Sequence, residues 1–344
     1  DAEIDLAPMA DGGEGTVEAL VAATGGRFVF APAHDPLGNA IDARYGILGD
    51  GRTAVIEVAA ASGLALVPAD NRHPGFTTSY GTGELILRAI DQGVKRIIVG
   101  LGGSATNDAG AGMAQALGFG LRDDSDRELP FGGFALAKLH WIDPMRVREG
   151  LRYADIVGAY DVDSPLCGPK GASYTYGPQK GASLKSCEML DAALGHFAKY
   201  VEEEFKISLN ELPGAGAAGG LGAGLVVFCK AELHSGFTVI AEACGLAERI
   251  RRADLVITGE GKLDHQSLQG KVPVGVARLA QAAGVTCWAV AGRCDPGIDA
   301  ELTACGIEGS MDLTALAGSA DESLAHPALY LAAAAEQIVR GART

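Results

Sequence analysis

Of five glycine-rich segments in this chain, four set acidic, hydroxyl or lysine side chains between glycines, a composition suited to holding phosphate and a divalent cation. Residues 100–113 read GLGGSATNDAGAGM and follow the apolar run Arg96–Gly100. Glycines at such a strand exit let backbone N–H groups crowd an anion, so Gly102, Gly103, Ser104 and Thr106 are candidate cradle residues. Asp108 can then sit near a metal carried by that anion. Residues 257–271 read ITGEGKLDHQSLQGK, where a buried strand delivers Glu260 at its carboxyl end, the edge at which open α/β sheets bind ligands. Glu260 and Asp264 can serve as metal ligand or base and Lys271 as phosphate clamp, the parts used in phosphoryl transfer.

The other three segments are less directional. PMADGGEGT (8–16) places Asp11 and Glu14 around a glycine pair at a helix start, and a tight turn with a capping Thr is the plainer alternative. DVDSPLCGPKG (161–171) and GPQKG (177–181) combine two carboxylates with Lys170 and Lys180, and prolines at 165, 169 and 178 stiffen the loop. A solvated loop remains the alternative. Gly214, Gly216 and Gly219 satisfy G-x-G-x-x-G, yet Asn-Glu-Leu-Pro precedes them instead of the strand a dinucleotide fingerprint needs. A helix-N-terminal phosphate contact or close helix packing fits better. The G-x-x-x-x-G-K-[ST] spacing of a Walker loop occurs nowhere. His265 reads as a loop residue and Cys167 as a small packing residue.

These loops need strands and helices to hold them. Strand-like runs span Ile4–Ala7, Arg27–Ala31, Ala54–Val58, Arg96–Gly100, Ile156–Ala159, Leu255–Thr258 and Cys287–Ala291. Apolar residues at three- and four-residue spacing predict helices over 16–23, 79–92, 110–117, 186–205, 237–245, 273–283 and 329–339. Strand followed by helix argues for parallel sheets with crossovers. At 344 residues two domains are expected. Residues 1–25 with 236–344 would form one nucleotide-fold-like layer, and 26–235 an inserted α/β domain. The chain has no initiator Met and opens on what reads as a strand, so an N-terminal truncation that removes a first βα unit is expected.

Composition narrows the function. A formal charge of −15 repels nucleic acid and acidic membrane surfaces, so neither is an expected partner. The 49 glycines and 6% aromatic content suit an enzyme with many strand-to-helix turns. Seven cysteines are scattered without C-x-x-C, which argues against a disulfide framework or zinc knuckle and fits a reducing cytoplasm. Neither a membrane span nor a signal peptide is evident.

Taken in order, PMADGGEGT, GLGGSATNDAGAGM, DVDSPLCGPKGA, GPQKGA, GAGAAGGLGAGL and ITGEGKLDHQSLQGK resemble the type I glycerate kinase family, also called the glycerate 2-kinase family. The resemblance runs from Ile4 to the C-terminal helix. It implies a flavodoxin-like domain with a second α/β domain, the active site in the cleft, and ATP- and Mg²⁺-dependent phosphorylation of D-glycerate, giving 2-phosphoglycerate more than 3-phosphoglycerate. Under it Asp264 is the expected base with Asp11 as alternative, and Asp108 and Glu260 the magnesium ligands. Lys180 and Lys271 would hold phosphate or the substrate carboxylate, and the loops at Gly102–Thr106 and Gly214–Gly220 would offer N–H groups. Members begin with a loop resembling APDSFKGSLS, which is absent here. Ser164 stands where Asn is expected, and Ala109 where Gly is. A kinase for another small hydroxy acid and an inactive ligand-binding homologue are the rival functions, and a homodimer is left open.

Overall fold

The structure is a computed structural model that describes residues 3–265, 267–269 and 271–341. Two compact units emerge, residues 10–240 and residues 1–9 with 241–344. The joins thus fall after residues 9 and 240, against 25 and 235 in the expectation from sequence. Helix Thr16–Thr24 buries Val17 and Val21 against strands of the larger unit, where a Cβ on Gly46 would lie 2.7 Å from Val21 Cγ2.

The larger unit is built on β1 (Arg27–His34), β2 (Ala40–Ile47), β3 (Thr53–Glu57), β4 (Arg96–Gly100), β7 (Asp155–Tyr160) and β8 (Glu232–Ser235), in the order β1-β2-β3-β4-β7-β8. Between β4 and β7, β5 (Gly120–Arg122) and β6 (Trp141–Asp143) form a separate antiparallel pair. The sheet is mixed. β3, β4, β7 and β8 run parallel, while β1–β2 and β2–β3 are antiparallel, so the all-parallel expectation holds for only part of it. The reason is local. Asp35 Oδ1 accepts from the amides of Leu37 and Asn39 at 2.8 and 2.9 Å and turns β1 straight back into β2 without a crossover helix.

Ile97, Ile98 and Val99 of β4 are buried, as expected for a central strand covered on both faces. Helices Tyr80–Asp91, Ala111–Leu117 and Leu184–Phe205 contribute Leu85, Met113 and Phe197 to the continuous core around the sheet. The glycine-dense segment expected as a loop is one only in part: the backbone is left-handed at Ala218, Gly219 and Gly220, and regular helix follows from Leu221 to Cys229.

The smaller unit carries β9 (Leu255–Leu263), β10 (Thr286–Cys294) and β11 (Gly309–Asp312), all parallel, in the order β11-β10-β9. Helix Val272–Ala283 crosses from β9 to β10. Residues Ile4–Ala7, read as a strand from sequence, form none. Ile4 and Leu6 are exposed, and the Arg249 guanidinium holds the Asp5 carboxylate and the Leu6 carbonyl.

Candidate active site

Within the larger unit the glycine-rich loops gather at the carboxyl ends of the parallel strands. β4 ends at Gly100, in register with Glu57 of β3 and Ala159 of β7. The 101–110 loop then threads between neighbours on both sides. The Gly102 amide donates to the Gly12 carbonyl at 3.3 Å, and a Cβ on Gly102 would lie 2.5 Å from Gly13 Cα, so only glycine lets the two loops approach this closely. Asp11 and the 102–106 segment are brought together by that contact.

Carbonyls of this loop point into the protein. The Gly103 carbonyl accepts from Leu64 N at 2.8 Å, the Ala105 carbonyl from the Thr77 hydroxyl at 2.8 Å, and the Thr106 carbonyl from Lys180 Nζ at 2.8 Å. A backbone whose oxygens are engaged on one side is suited to turning N–H groups to the other. Lys180 is itself buried, and its Nζ also donates to Ser104 Oγ at 2.9 Å. Burial pushes its amine down to about 7, while the charge of nearby Asp108 pulls it partly back up.

Asp108 is fully enclosed. Its Oδ2 accepts from the Ser79 amide and hydroxyl, both at 2.9 Å, and from Gly112 N at 3.2 Å, while Oδ1 accepts from Gly110 N at 3.1 Å. Burial raises its carboxyl, and those four donors oppose the rise. Its oxygens face the start of helix Tyr80–Asp91 and the turn before Ala111.

Loops 161–171 and 214–220 complete the group. Gly214 N donates to Asp163 Oδ1 at 3.3 Å, and Gly216 N to the Ser164 carbonyl at 3.0 Å. At Gly219 the backbone turns left-handed, φ +70°, and a Cβ would stand 1.9 Å from the Thr106 carbonyl. The G-x-G-x-x-G spacing therefore serves close packing of one loop on another. Cys167 packs against the core, and burial with the Asp191 charge pushes its thiol up to about 12.

Sequence reasoning missed Glu57. Its Oε1 accepts from Val17 N at 2.9 Å, which ties the start of helix Thr16–Thr24 and the Asp11–Gly15 loop to the end of β3. Burial raises this carboxyl, and its amide donors oppose the rise. An acidic residue closing a β-branched run was the available signal.

Glu260, Asp264 and Lys271 belong to the smaller unit. β9 extends through Glu260, which pairs with Ala291, so the Gly-Glu-Gly turn expected at the strand's end is part of the strand. Asp264 follows that end. Its Oδ1 accepts from Ser267 N at 3.3 Å, and Lys262 Nζ lies 3.3 Å from its Oδ2 and 2.8 Å from Asp295. Lys271 is the N-cap residue of helix Val272–Ala283.

Among the described residues no group of three or more His, Cys, Asp or Glu is placed to hold a metal. Magnesium does not require one, because it binds one or two carboxylates and keeps waters and phosphate oxygens. In the Asp11–Gly15 loop Glu14 is exposed and Asp11 half-buried, so this pair suits such a cation.

The family described as Glycerate kinase family matches residues 1–343. The Glycerate 2-kinase of Escherichia coli (strain K12) is 52% identical over 281 residues, covering 82% of this chain and 74% of that protein. The Glycerate kinase of Bacillus subtilis (strain 168) is 46% identical over 331 residues, 96% of this chain and 86% of that one. A crystal structure described as "putative glycerate kinase 2" from Salmonella typhimurium LT2 superposes with a TM-score of 0.81 at 47% identity, over 89% of this chain and 80% of the other.

Proposed function

The chain belongs to the glycerate kinase family, and on that premise we propose that it transfers the γ-phosphoryl group of ATP to D-glycerate, giving 2-phosphoglycerate. The observation that carries the reading within this chain is the 102–106 loop. Its carbonyls at 103, 105 and 106 are bound inward and the Gly102 and Ala105 amides are taken by the Gly12 and Ser62 carbonyls, so the amides of Gly103, Ser104 and Thr106 are the groups left to meet an anion. Such fixed dipoles stabilise charge on a transferring phosphoryl group without reorganising during the reaction.

An alcohol must lose its proton as the new bond forms, so a carboxylate within hydrogen-bond reach of the hydroxyl is needed. Asp264 is the proposed base, with Lys262 Nζ 3.3 Å from its Oδ2. Asp11 is the alternative, favoured by its place beside the Gly102 loop. Bound Mg²⁺ would neutralise phosphate charge. Glu14, together with Asp11 where Asp264 is the base, is proposed to hold it, and Asp108, committed to four donors, is instead assigned to bracing the loop. Lys271 is proposed as a phosphate contact. The three parallel strands of the smaller unit and the helix between β9 and β10 support a flavodoxin-like assignment for it.

ADP release measured with glycerate, glycolate, lactate and tartronate tests the reading. Turnover with glycerate alone supports it; preference for another acid makes the protein a kinase of that acid, and ATP binding without turnover makes it an inactive homologue. Phosphorus NMR of the product reads which hydroxyl is esterified.

A further inference from the structure

Lys180 is held in a place that does not suit a direct phosphate ligand. It ends the short turn Pro178–Lys180, and Gly181 after it is left-handed at φ +90°, with a Cβ there falling 2.1 Å from the Arg72 carbonyl. On the other side of the turn, a Cβ on Gly177 would lie 2.2 Å from the Ser173 carbonyl and 2.9 Å from Cys187 Sγ. The turn is therefore wedged between two stretches of backbone, and the lysine stem runs inward until only 3% of the residue is exposed. Its Nζ ends on two neutral oxygens of the loop, Ser104 Oγ at 2.9 Å and the Thr106 carbonyl at 2.8 Å.

Lys180 Nζ is the donor in that bond and Ser104 Oγ the acceptor. A hydroxyl that accepts from one side has its own proton free to be given elsewhere. The backbone around Ser104 cannot swing to change this, because Leu64 N binds the Gly103 carbonyl and Ala105 N binds the Ser62 carbonyl, each at 2.8 Å. Two orienting constraints thus converge on one serine, one through its main chain and one through its hydroxyl.

We propose that Lys180 is a positioning residue that works through Ser104: by donating to Ser104 Oγ it turns the serine proton outward as a donor to a bound phosphoryl oxygen, without itself touching the ligand. This rests on the kinase reading for the identity of the anion. Removing the lysine leaves Ser104 Oγ without its donor, and the hydroxyl is then free to turn inward to the Thr106 carbonyl.

The test is calorimetric binding of MgATP to the full chain and to Lys180→Met, Ser104→Ala and the double variant. A hydrogen bond from a neutral donor to a charged phosphate is worth roughly a tenfold change in affinity. Each single substitution is expected to weaken binding by about that tenfold, and the double variant by no more than about twice as much again, because both remove the same bond. Losses that multiply to about a hundredfold would overturn the proposal, since the lysine would then act on the ligand independently. Wild-type affinity in Ser104→Ala would overturn it as well, and that variant carries the test alone if Lys180→Met does not fold. Glycerate-dependent ADP release from the unsubstituted protein is read separately. If it is absent while the binding losses fail to add, the positioning role stands and the kinase reading falls.

Discussion

Replacing Lys180 with Met should change stability in a way that depends on pH, because the buried amine carries an ionisation penalty that Met does not. Lys180 falls from 10.5 to about 7 in the fold, pushed by burial. At about 1.4 kcal/mol per pH unit, that shift amounts to roughly 5 kcal/mol of cost for holding the charged form in the folded protein. The sign follows from the direction of the shift. Between about 7 and 10.5 the unfolded chain binds more protons at this site than the folded one, so stability rises with pH across that window. The cost is absent above 10.5 and complete below about 7.

Met matches the lysine stem but leaves Ser104 Oγ and the Thr106 carbonyl without a donor, at about 1–3 kcal/mol each. Near pH 7 these effects nearly offset, and Lys180→Met should be close to wild type. At pH 9.5 most of the charge penalty is gone from the wild type, which should then be the more stable protein by a few kcal/mol. Asp108 is the charged neighbour that Lys180 feels, and burial raises its carboxyl while four donors oppose the rise. Urea unfolding of both proteins at pH 7.5, 8.5 and 9.5, followed by a probe in residues 10–240, measures the difference. A gap between the two that does not widen in favour of the wild type as pH rises refutes the argument, because the lysine would then be titrating as a solvated amine.

Asp108→Asn keeps the shape but turns an acceptor into a donor against the amides and hydroxyl that Asp108 holds, and should destabilise the larger unit by about 2–4 kcal/mol in urea unfolding. Gly219→Ala puts a Cβ 1.9 Å from the Thr106 carbonyl in a left-handed backbone, and is expected to cost at least about 2 kcal/mol. It should also lower turnover, because Thr106 moves with it; a variant with wild-type melting would refute the packing. Asp264→Asn should reduce kcat by about 10² or more if Asp264 is the base, and Asp11→Asn should then do markedly less. The reverse order would transfer that role to Asp11. Lys271→Ala should raise KM for ATP with a smaller effect on kcat, read in the ADP-release assay.

How much of this was legible in the sequence depends on whether a feature is local. The β-branched run before Gly100 and the apolar spacing of 79–92 and 186–205 need only neighbouring residues to be read, and β4 and the helices Tyr80–Asp91 and Leu184–Phe205 follow them within a few positions. β2, β8 and β11 were not read. Ala40–Ile47 mixes Asp42 and Arg44 with a glycine, and what makes it a strand is the turn at Asp35 and the partner it finds in β1. Ile4–Ala7 shows the converse, an alternating run that forms no strand.

At the site the same distinction separates residue type from residue task. Glycine spacing marked the loops, but whether a glycine meets an anion or another backbone depends on a segment more than a hundred positions away, as Gly219 and Thr106 show. Asp108 and Lys180 have the chemistry of ligands, and the spacing of their motifs is compatible with that use. Their surroundings give them other partners: Ser79, Gly110 and Gly112 for the carboxylate, Ser104 and Thr106 for the amine. A charged group in a glycine loop can serve the reaction in two ways, by facing the anion or by fixing the groups that do. Burial decides between them, since a fully enclosed charge with its hydrogen bonds directed into its own loop holds the cradle in shape, whereas Glu14, exposed in its loop, is not enclosed in this way.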